Sequence, residues 1–320
     1  MDGLPETLQM AILYFSDKVK ALEFLTKFRW SDGKPTCPWC GSQENSFVST
    51  RSIWKCKACK KQYSAKSGTI MEDSPIGLDK WLPAIWMLCG CKNGVSSYEI
   101  SRDLGISQKS AWFMLHRIRL AMQSGSLEKK LSGHVEADET FIGGKLFNMH
   151  LDKQTRLRMG KKRTGGFEGK AVVMGLLERH TKQARVKVLP NTRSHHIRGN
   201  VDANVEKGST IYSDSLQSYK SLPKDGYVHE FIDHAESYVR DNVHTNGLEN
   251  FWSLFKRSLK GTYVSVEPFH LQAYADEQCF RFNNREFQDA DRFVQVLSQI
   301  AGRRLTFAEL TGKELDSHAN

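Results

Sequence analysis

Two pairs of cysteines near the N-terminus constrain the fold more than any other feature of the sequence. Cys37 and Cys40 form one CxxC pair, and Cys56 and Cys59 form a second pair after an interval of fifteen residues. Pairs at this spacing can bring four thiolates around one tetrahedral zinc ion, each pair on a tight turn joined to short strands. The sequence therefore predicts a zinc ribbon, which we place over residues 31–70.

The charge of the chain indicates a polyanionic partner. It has 46 Lys and Arg against 36 Asp and Glu, a formal net charge of +10. Such a balance favours nucleic acid, with an anionic membrane surface second. The most apolar run, 81–91, is too short to span a bilayer and contains Pro83. We therefore expect a cytoplasmic protein without a membrane segment that binds double-stranded DNA and joins the nucleoid when bound.

Helices are predicted on both sides of the ribbon. An N-terminal helix falls within residues 1–30, with Ser16 as its N-cap. A helix-turn-helix-like module follows at 71–125, where Ser96 and Glu99 have capping-box spacing, Gly105 permits a sharp turn and Ser107 can cap a second helix. That second helix is predicted to expose Gln108, Lys109, His116, Arg117 and Arg119 to the DNA major groove. An ordinary pair of packed helices has the same sequence pattern.

Two basic segments are further candidates for DNA contact. Lysines near the second cysteine pair are predicted to face phosphates, and a solvated basic surface is the alternative. They are Lys55, Lys57, Lys60, Lys61 and Lys66. The second segment, 145–170, is predicted as an exposed basic insertion, either a DNA contact or a disordered loop.

From residue 130 onward the pattern changes to strands. HVEADETFIGG, which begins at His134, predicts a strand on which Glu136 and Asp138 share one face and Glu139 points away. The later segments predict strands over 170–177, 184–189 and 208–214, with a helix over 192–207. The first three strands form an antiparallel meander, and the fourth ends at Asp214. We interpret Glu136 as a decoy beside the functional carboxylate.

Residues 244–263 predict an amphipathic helix. Its apolar stripe consists of Leu248, Phe251, Trp252, Phe255 and Leu259. Glu249 lies off that stripe, on a face shared with Lys256 and close to Asn246. Asp138, Asp214 and Glu249 would meet where two strands and this helix adjoin, a set suited to divalent cations. Ordinary roles are also open, with Asp214 as a strand-end cap and Glu249 as a solvated side chain.

At this point the chain resembles a known family. Its order of strands, helix and acidic residues is similar to the ribonuclease-H-like domain of DDE-type transposases. The resemblance is closer to the bacterial insertion-sequence transposases related to Merlin elements, which carry an N-terminal zinc ribbon. The matching motifs are YSAKSGTI at 63–70, DETFIGG at 138–144, YSD at 212–214, HTN at 244–246, FWSLFKR at 251–257 and NNR at 283–285.

The resemblance implies a fold, an activity and a set of site residues. The fold is α/β: a ribonuclease-H-like catalytic domain over 130–290, preceded by the ribbon and the helical module and followed by a tail over 291–320. Asp138, Asp214 and Glu249 would be catalytic and would hold Mg²⁺ or Mn²⁺. Asn246 is the alternative third residue, because some members carry Asn there, and Lys256 would contact a phosphate.

The implied function is transposition of DNA. The protein would bind the terminal inverted repeats of an insertion sequence, cleave the DNA strands and transfer them to a target, working as a homo-oligomer. Two rival functions stay open on the sequence alone. A transposase-derived DNA-binding regulator would keep the ribbon and the positive charge without catalysis, and a stand-alone nuclease would cleave without strand transfer.

Overall fold

The computed structural model describes residues 4–123, 129–143, 151, 155, 170–214, 217–232 and 244–313. Almost all of the basic insertion predicted over 145–170 lies outside these ranges. The chain forms two compact units. The first consists of 1–124 together with 284–320, and the second of 125–283.

The first unit begins with two helices and the ribbon. Helix α1 is Leu8–Ser16, and α2 is Lys18–Arg29. Asp17, rather than the predicted Ser16, caps α2, because its carboxylate accepts hydrogen bonds from two backbone N–H groups of the first turn. The ribbon is a three-stranded antiparallel sheet in the order β1 (Asn45–Val48), β2 (Ile53–Cys56) and β3 (Gln62–Tyr63).

Three helices follow the ribbon. Helix α3 is Leu78–Gly90, α4 is Ser97–Leu104 and α5 is Gln108–Met122. The predicted capping box is present, since the Ser96 hydroxyl accepts from the Glu99 N–H and the Glu99 carboxylate accepts from the Ser96 N–H. Gly105 ends α4 with φ +59°, and the Ser107 side chain caps α5. The predicted helix–turn–helix path is confirmed as backbone geometry.

The second unit is built on a five-stranded mixed sheet. Its strands are β4 (His134–Ile142), β5 (Ala171–Glu178), β6 (Ala184–Leu189), β7 (Thr210–Asp214) and β8 (Val228–Ile232). Their order is β6-β5-β4-β7-β8, with β4, β5 and β6 antiparallel and β7 and β8 parallel to β4. The sequence predicts the first four strands correctly and misses β8.

Helices cover both faces of this sheet. They are α6 (Ser194–Asn204), α7 (Asn246–Ser258) and α8 (Leu271–Asn283). On one face, α6 packs through Ile197 and Val201 on alternate residues of β4 and β7. On the other face, α7 and α8 pack on β5 and β6. All five positions of the predicted apolar stripe are buried, four on α7 and Leu259 directly after its end, so that prediction is confirmed.

The last helices return to the first unit. They are α9 (Asp289–Ser298) and α10 (Phe307–Thr311). The Phe293 ring of α9 lies 5.0 Å from the Trp86 ring of α3 and 5.7 Å from the Phe15 ring of α1, measured between ring centroids. The segment predicted as a tail thus supplies part of the core of the first unit.

Candidate functional site

The four cysteines of the ribbon converge on one point. Their sulfur atoms all lie within 4.8 Å of one another. Cys37 Sγ is 3.6 Å from Cys59 Sγ, and Cys40 Sγ is 3.6 Å from Cys56 Sγ. Four thiolates bound tetrahedrally to one zinc ion at ~2.3 Å are about 3.8 Å apart, so the cluster fits zinc.

The two cysteine pairs lie on turns of the same geometry. The Gly41 N–H donates to the Cys37 carbonyl, and the Lys60 N–H donates to the Cys56 carbonyl. Both turn residues have positive φ, +71° for Gly41 and +63° for Lys60. Backbone N–H donation, first of all from Cys59, lowers the pKa of the Cys56 thiol to about 6. A low thiol pKa favours the thiolate, which is the metal-binding form.

Four of the five lysines predicted to face phosphates lie on the surface of the ribbon. Lys55, Lys57, Lys60 and Lys61 are exposed. Lys66 is half-buried, and its ammonium group donates to the carbonyls of Ser74 and Ile76. Burial lowers its pKa. The prediction is wrong for Lys66, which holds a turn of the backbone.

The second helix of the helix–turn–helix path does not present the predicted reading surface. His116, Arg117 and Arg119 are buried, whereas Lys109 is exposed and Gln108 is half-buried. Arg117 shows why: its guanidinium donates to the carbonyls of Leu305 at 3.0 Å and of Glu72 at 2.7 Å. The prediction of an exposed recognition surface is therefore wrong for these three residues, which belong to the interior of the first unit.

The two aspartates of the predicted triad lie on neighbouring strands of the second unit. Asp138 is in the middle of β4, and Asp214 is the last residue of β7. The parallel pairing sets Glu136 opposite Tyr212, so the two aspartates follow at equal steps along their strands. Residues two apart on a strand share a face. Asp138 and Asp214 are thus on one face of the sheet, the face covered by α7.

The remaining predicted residues are on α7. Glu249 is in its first turn, Asn246 is its first residue and Lys256 is near its end; all three are exposed. Helix α7 packs on β4 and β5. Of Glu249 and Asn246, Glu249 carries the charge that acts on Asp138.

The electrostatics of Asp138 reflect this grouping. Burial and the negative charges of Asp214 and Glu249 raise its pKa to about 6, against hydrogen bonds from the Trp252 indole and a backbone N–H that favour the ionised form. A divalent cation would relieve the repulsion among these carboxylates, and their oxygen atoms are the ligands that Mg²⁺ prefers. Among the described residues, the four cysteines alone form a group of three or more possible metal ligands within 4.8 Å of one another.

Glu139 points to the opposite face, as strand alternation predicts. Its carboxylate accepts a hydrogen bond from the hydroxyl of the buried Tyr219. Burial and the charges of Asp214 and Asp138 raise the pKa of Glu139 to about 8. This carboxyl group is thus close enough to the site to feel its charge while lying on the other side of the sheet.

Glu136 has a structural role at the start of α7. It is buried, and its carboxylate accepts from Arg179 Nε at 3.0 Å and from the Leu248 N–H at 3.1 Å. His244 Nδ1 lies 3.4 Å from the same carboxylate. A Cβ at Gly247 would lie 2.8 Å from Glu136 Oε2, so a larger residue there would force one of the two to shift. Through its hydrogen bond to the Leu248 N–H, Glu136 holds the first turn of α7.

Sequence reasoning missed two residues that contact the carboxylates. Arg179 lies just after β5, donates to Glu136 and has its guanidinium carbon 4.0 Å from the centre of the Tyr212 ring. Trp252 was assigned to the apolar stripe alone, yet its indole N–H donates to Asp138 Oδ2 at 2.8 Å. Nothing in helical periodicity distinguishes a buried tryptophan with a carboxylate partner from one in a purely apolar core.

The strand order and the acidic residues define a class of protein. The sheet has the order β6-β5-β4-β7-β8, and acidic residues lie on β4 and β7, its first and fourth strands along the chain, and on the later helix α7. This is the arrangement of a ribonuclease-H-like DDE domain. Residues 130–283 match the family model of the ISXO2-like transposase domain. Residues 16–62 match the model of the transposase zinc-ribbon domain. The chain belongs to the DDE-type insertion-sequence transposases that carry a zinc ribbon.

A curated relative agrees with this family. The chain is 25% identical over 257 residues to a Halobacterium salinarum protein described as an uncharacterized protein in transposable element ISH50, covering 78% of this chain and 86% of that protein. Among solved structures, an intasome of simian T-cell lymphotropic virus in complex with PP2A regulatory subunit B56 gamma matches 62% of this chain and 64% of that chain. That match has 12% identity and a TM-score of 0.29, too low to indicate a shared architecture.

Within the ranges that the structure describes, no helix combines the length and the apolar character needed to cross a membrane.

Proposed function

We propose that this protein is an active transposase that binds the terminal inverted repeats of an insertion sequence and catalyses metal-dependent cleavage and transfer of DNA strands. The observation that carries the proposal is the position of Asp138 and Asp214 at matching steps on neighbouring strands, on the sheet face that is covered by α7, the helix with Glu249 in its first turn. A buried carboxylate with a raised pKa beside further acidic residues is typical of a functional site.

Each carboxylate has a role in this proposal. Asp138 on β4, Asp214 on the neighbouring strand β7 and Glu249 on α7 would together hold the Mg²⁺ ions. Bound Mg²⁺ ions supply an activated oxygen nucleophile and neutralise charge at the phosphate that is transferred. Asn246, an exposed amide on the first residue of α7, is the alternative third ligand.

The exposed cations fit a DNA substrate. Lys256 projects from the same helix as Glu249 and would contact a phosphate near the cleaved bond. Lys55, Lys57, Lys60 and Lys61 of the ribbon would bind DNA phosphates with little dependence on sequence. Since two ends of an element must be joined, we propose that the protein acts as a homo-oligomer on DNA.

Strand cleavage by Asp214→Ala, measured against the wild type, tests the catalytic role. The substrate is a labelled duplex that carries the ends of the host element, incubated with Mg²⁺ or Mn²⁺. We expect the wild type to cut and Asp214→Ala to bind within a few fold but not to cut. Glu206→Ala, which removes an exposed carboxylate of the same unit, is the matched control and should cut normally.

Two results would change the assignment. Binding by both proteins without cleavage by either would favour the transposase-derived DNA-binding regulator. Cleavage by the wild type without joined products, when an oligonucleotide with a free 3′-hydroxyl is supplied, would favour a stand-alone nuclease. Replacement of Asn246 and of Glu249 by Ala in the same assay identifies which one is the third catalytic residue.

A further inference from the structure

A single tryptophan connects the packing of α7 to the central carboxylate. The indole Nε1 of Trp252 donates to Oδ2 of Asp138 at 2.8 Å, and the side chain is 4% exposed. A buried indole N–H needs an acceptor, and a bond to an ionised group is stronger than one to a neutral group. The acceptor here is the carboxylate of Asp138, which is on the same sheet face as Asp214.

The sheet leaves a space for this indole. Gly175 lies directly opposite Asp138 in the pairing of β4 with β5. A Cβ at Gly175 would be 2.8 Å from Cζ2 of Trp252 and 2.8 Å from Cδ2 of Leu248. Backbone conformation does not explain the glycine, because its φ is outside the positive region. The missing side chain is what allows the ring to cross β5 and reach the carboxylate.

The hydrogen bond from Trp252 restrains the carboxylate of Asp138, which lies among other negative charges. The neighbouring negative charges repel its carboxylate, so an unrestrained side chain would rotate away from them. The indole bond opposes this rotation and comes from a rigid ring fixed in the core by Leu248 and Phe251. Loss of a group that orients a metal ligand in this way typically costs about 10–100-fold in metal affinity.

We propose that Trp252 is a positioning residue, seated over Gly175, whose indole N–H holds the Asp138 carboxylate in the orientation that receives a divalent ion. This inference rests on the proposed function. Trp252 would thus act on the site although it belongs to the apolar stripe of α7. The role of Gly175 would be to leave space for the Trp252 ring.

Metal affinity measures this role independently of DNA cleavage. The zinc-loaded full chain is titrated with Mn²⁺ and free Mn²⁺ is followed by electron paramagnetic resonance; Asp138→Ala identifies the binding that belongs to this site. Trp252→Phe retains an aromatic ring without the N–H, and we expect its Mn²⁺ affinity to fall roughly 10-fold. Gly175→Ala should weaken affinity through displacement of the indole, and the double variant should be no weaker than the more affected single variant.

Two further variants separate positioning from packing. Phe255→Leu disturbs the same core, removes no hydrogen-bonding group and should retain wild-type Mn²⁺ affinity. Site-specific benzothienylalanine at position 252 retains the size of the indole but replaces the N–H by sulfur. It serves as the test if Trp252→Phe fails to fold, and we expect the same roughly 10-fold loss of Mn²⁺ affinity.

Wild-type affinity in a folded variant that lacks the N–H would overturn the positioning role while leaving the proposed function intact. If Asp138→Ala binds Mn²⁺ as the wild type does, the proposed metal site itself fails, and the positioning role fails with it.

Discussion

Three acidic residues within four positions of β4 have three different electrostatic environments. Glu136 is neutralised by Arg179 at 3.0 Å. Asp138 lies on the same sheet face as Asp214, and the negative charge of Glu249 also acts on it. Glu139 is enclosed on the other face with Tyr219. Alternation along the strand gives the two faces from the sequence alone, but the neighbours come from distant parts of the chain. That is why sequence predicted the shared face of Glu136 and Asp138 but not their partners.

The enclosed Glu139 should make the stability of the Mg²⁺-free protein depend on pH. Its folded pKa is about 8, raised mainly by burial, whereas an unfolded Glu titrates near ~4.3. Because the folded state binds the proton more tightly, stability is highest below the unfolded pKa and is lost as pH rises toward 8. Glu139→Gln removes this loss. We expect the melting temperature of the wild type, relative to Glu139→Gln, to fall by a few degrees between pH 6 and pH 9.

Calorimetry of zinc-loaded protein in Mg²⁺-free buffer at several pH values checks this expectation. Glu230→Gln is the control, since Glu230 is exposed on β8 and its removal should give no comparable trend. A difference between wild type and Glu139→Gln that stays constant across the pH range would contradict the assignment of the raised pKa to Glu139.

Among the elements, the edge strand β6 is protected by side chains of a helix. Asn283 of α8 accepts from the Ala184 N–H at 2.8 Å and donates to the Ala184 carbonyl at 3.0 Å. Gln272, on the same helix, accepts from the Val188 N–H and donates to the Val186 carbonyl. These amides replace the neighbouring strand that β6 lacks. Exposed edges promote strand pairing between molecules, and α8 covers this edge against such pairing.

Asn283→Ala should therefore destabilise the second unit and favour aggregation. The change leaves one N–H and one carbonyl of β6 without their partner, at a cost of about 2 kcal/mol. We expect a lower melting temperature and more light scattering on heating. Asn250→Ala, on the exposed side of α7, is the matched control and should change neither quantity. Unchanged stability of Asn283→Ala would show that water or another group satisfies this edge equally well.

Amphipathic periodicity predicted some helices well and misled on another. In α7 the stripe alone identifies the buried side, since apolar residues there contact the sheet. In α5 the polar residues His116, Arg117 and Arg119 are buried as well. Arg117, for example, donates to the carbonyl of Leu305, which is far along the chain. No local sequence pattern predicts such a partner. The strands of the candidate site were predictable because alternation and turn residues are local signals.

Arg117→Ala is expected to act on stability rather than on DNA reading. It leaves the carbonyls of Glu72 and Leu305 without their donor and creates a cavity in the first unit, so the melting temperature should fall by roughly 5 °C or more. Lys109→Ala, exposed near the start of the same helix, should leave the melting temperature nearly unchanged. A stable Arg117→Ala variant with altered preference among DNA sequences would restore the predicted recognition role.

At the scale of the whole molecule, the two units differ in how the chain forms them. The second unit is continuous, 125–283, and contains both cores that enclose its sheet. The first is discontinuous, because 284–320 must return to 1–124. Phe293 of the returning segment packs between Phe15 and Trp86. Sequence motifs located the ribbon and the transposase domain. The return of the chain depends instead on contacts between residues more than 200 positions apart, for which the chain carries no motif.

This difference predicts how fragments behave. Residues 125–283 alone should fold and melt cooperatively, because their cores are complete. Residues 1–124 alone, even with zinc bound, should melt at a lower temperature and bind a hydrophobic dye, because Trp86 and Phe15 lose the cover of Phe293. Fusion of 1–124 to 284–320 through a flexible Gly/Ser linker should restore the higher melting temperature, and the same fusion with Phe293→Ala should not. Full stability of the 1–124 fragment without the C-terminal segment would contradict this prediction. It would show that the return of the chain adds no stability to the first unit.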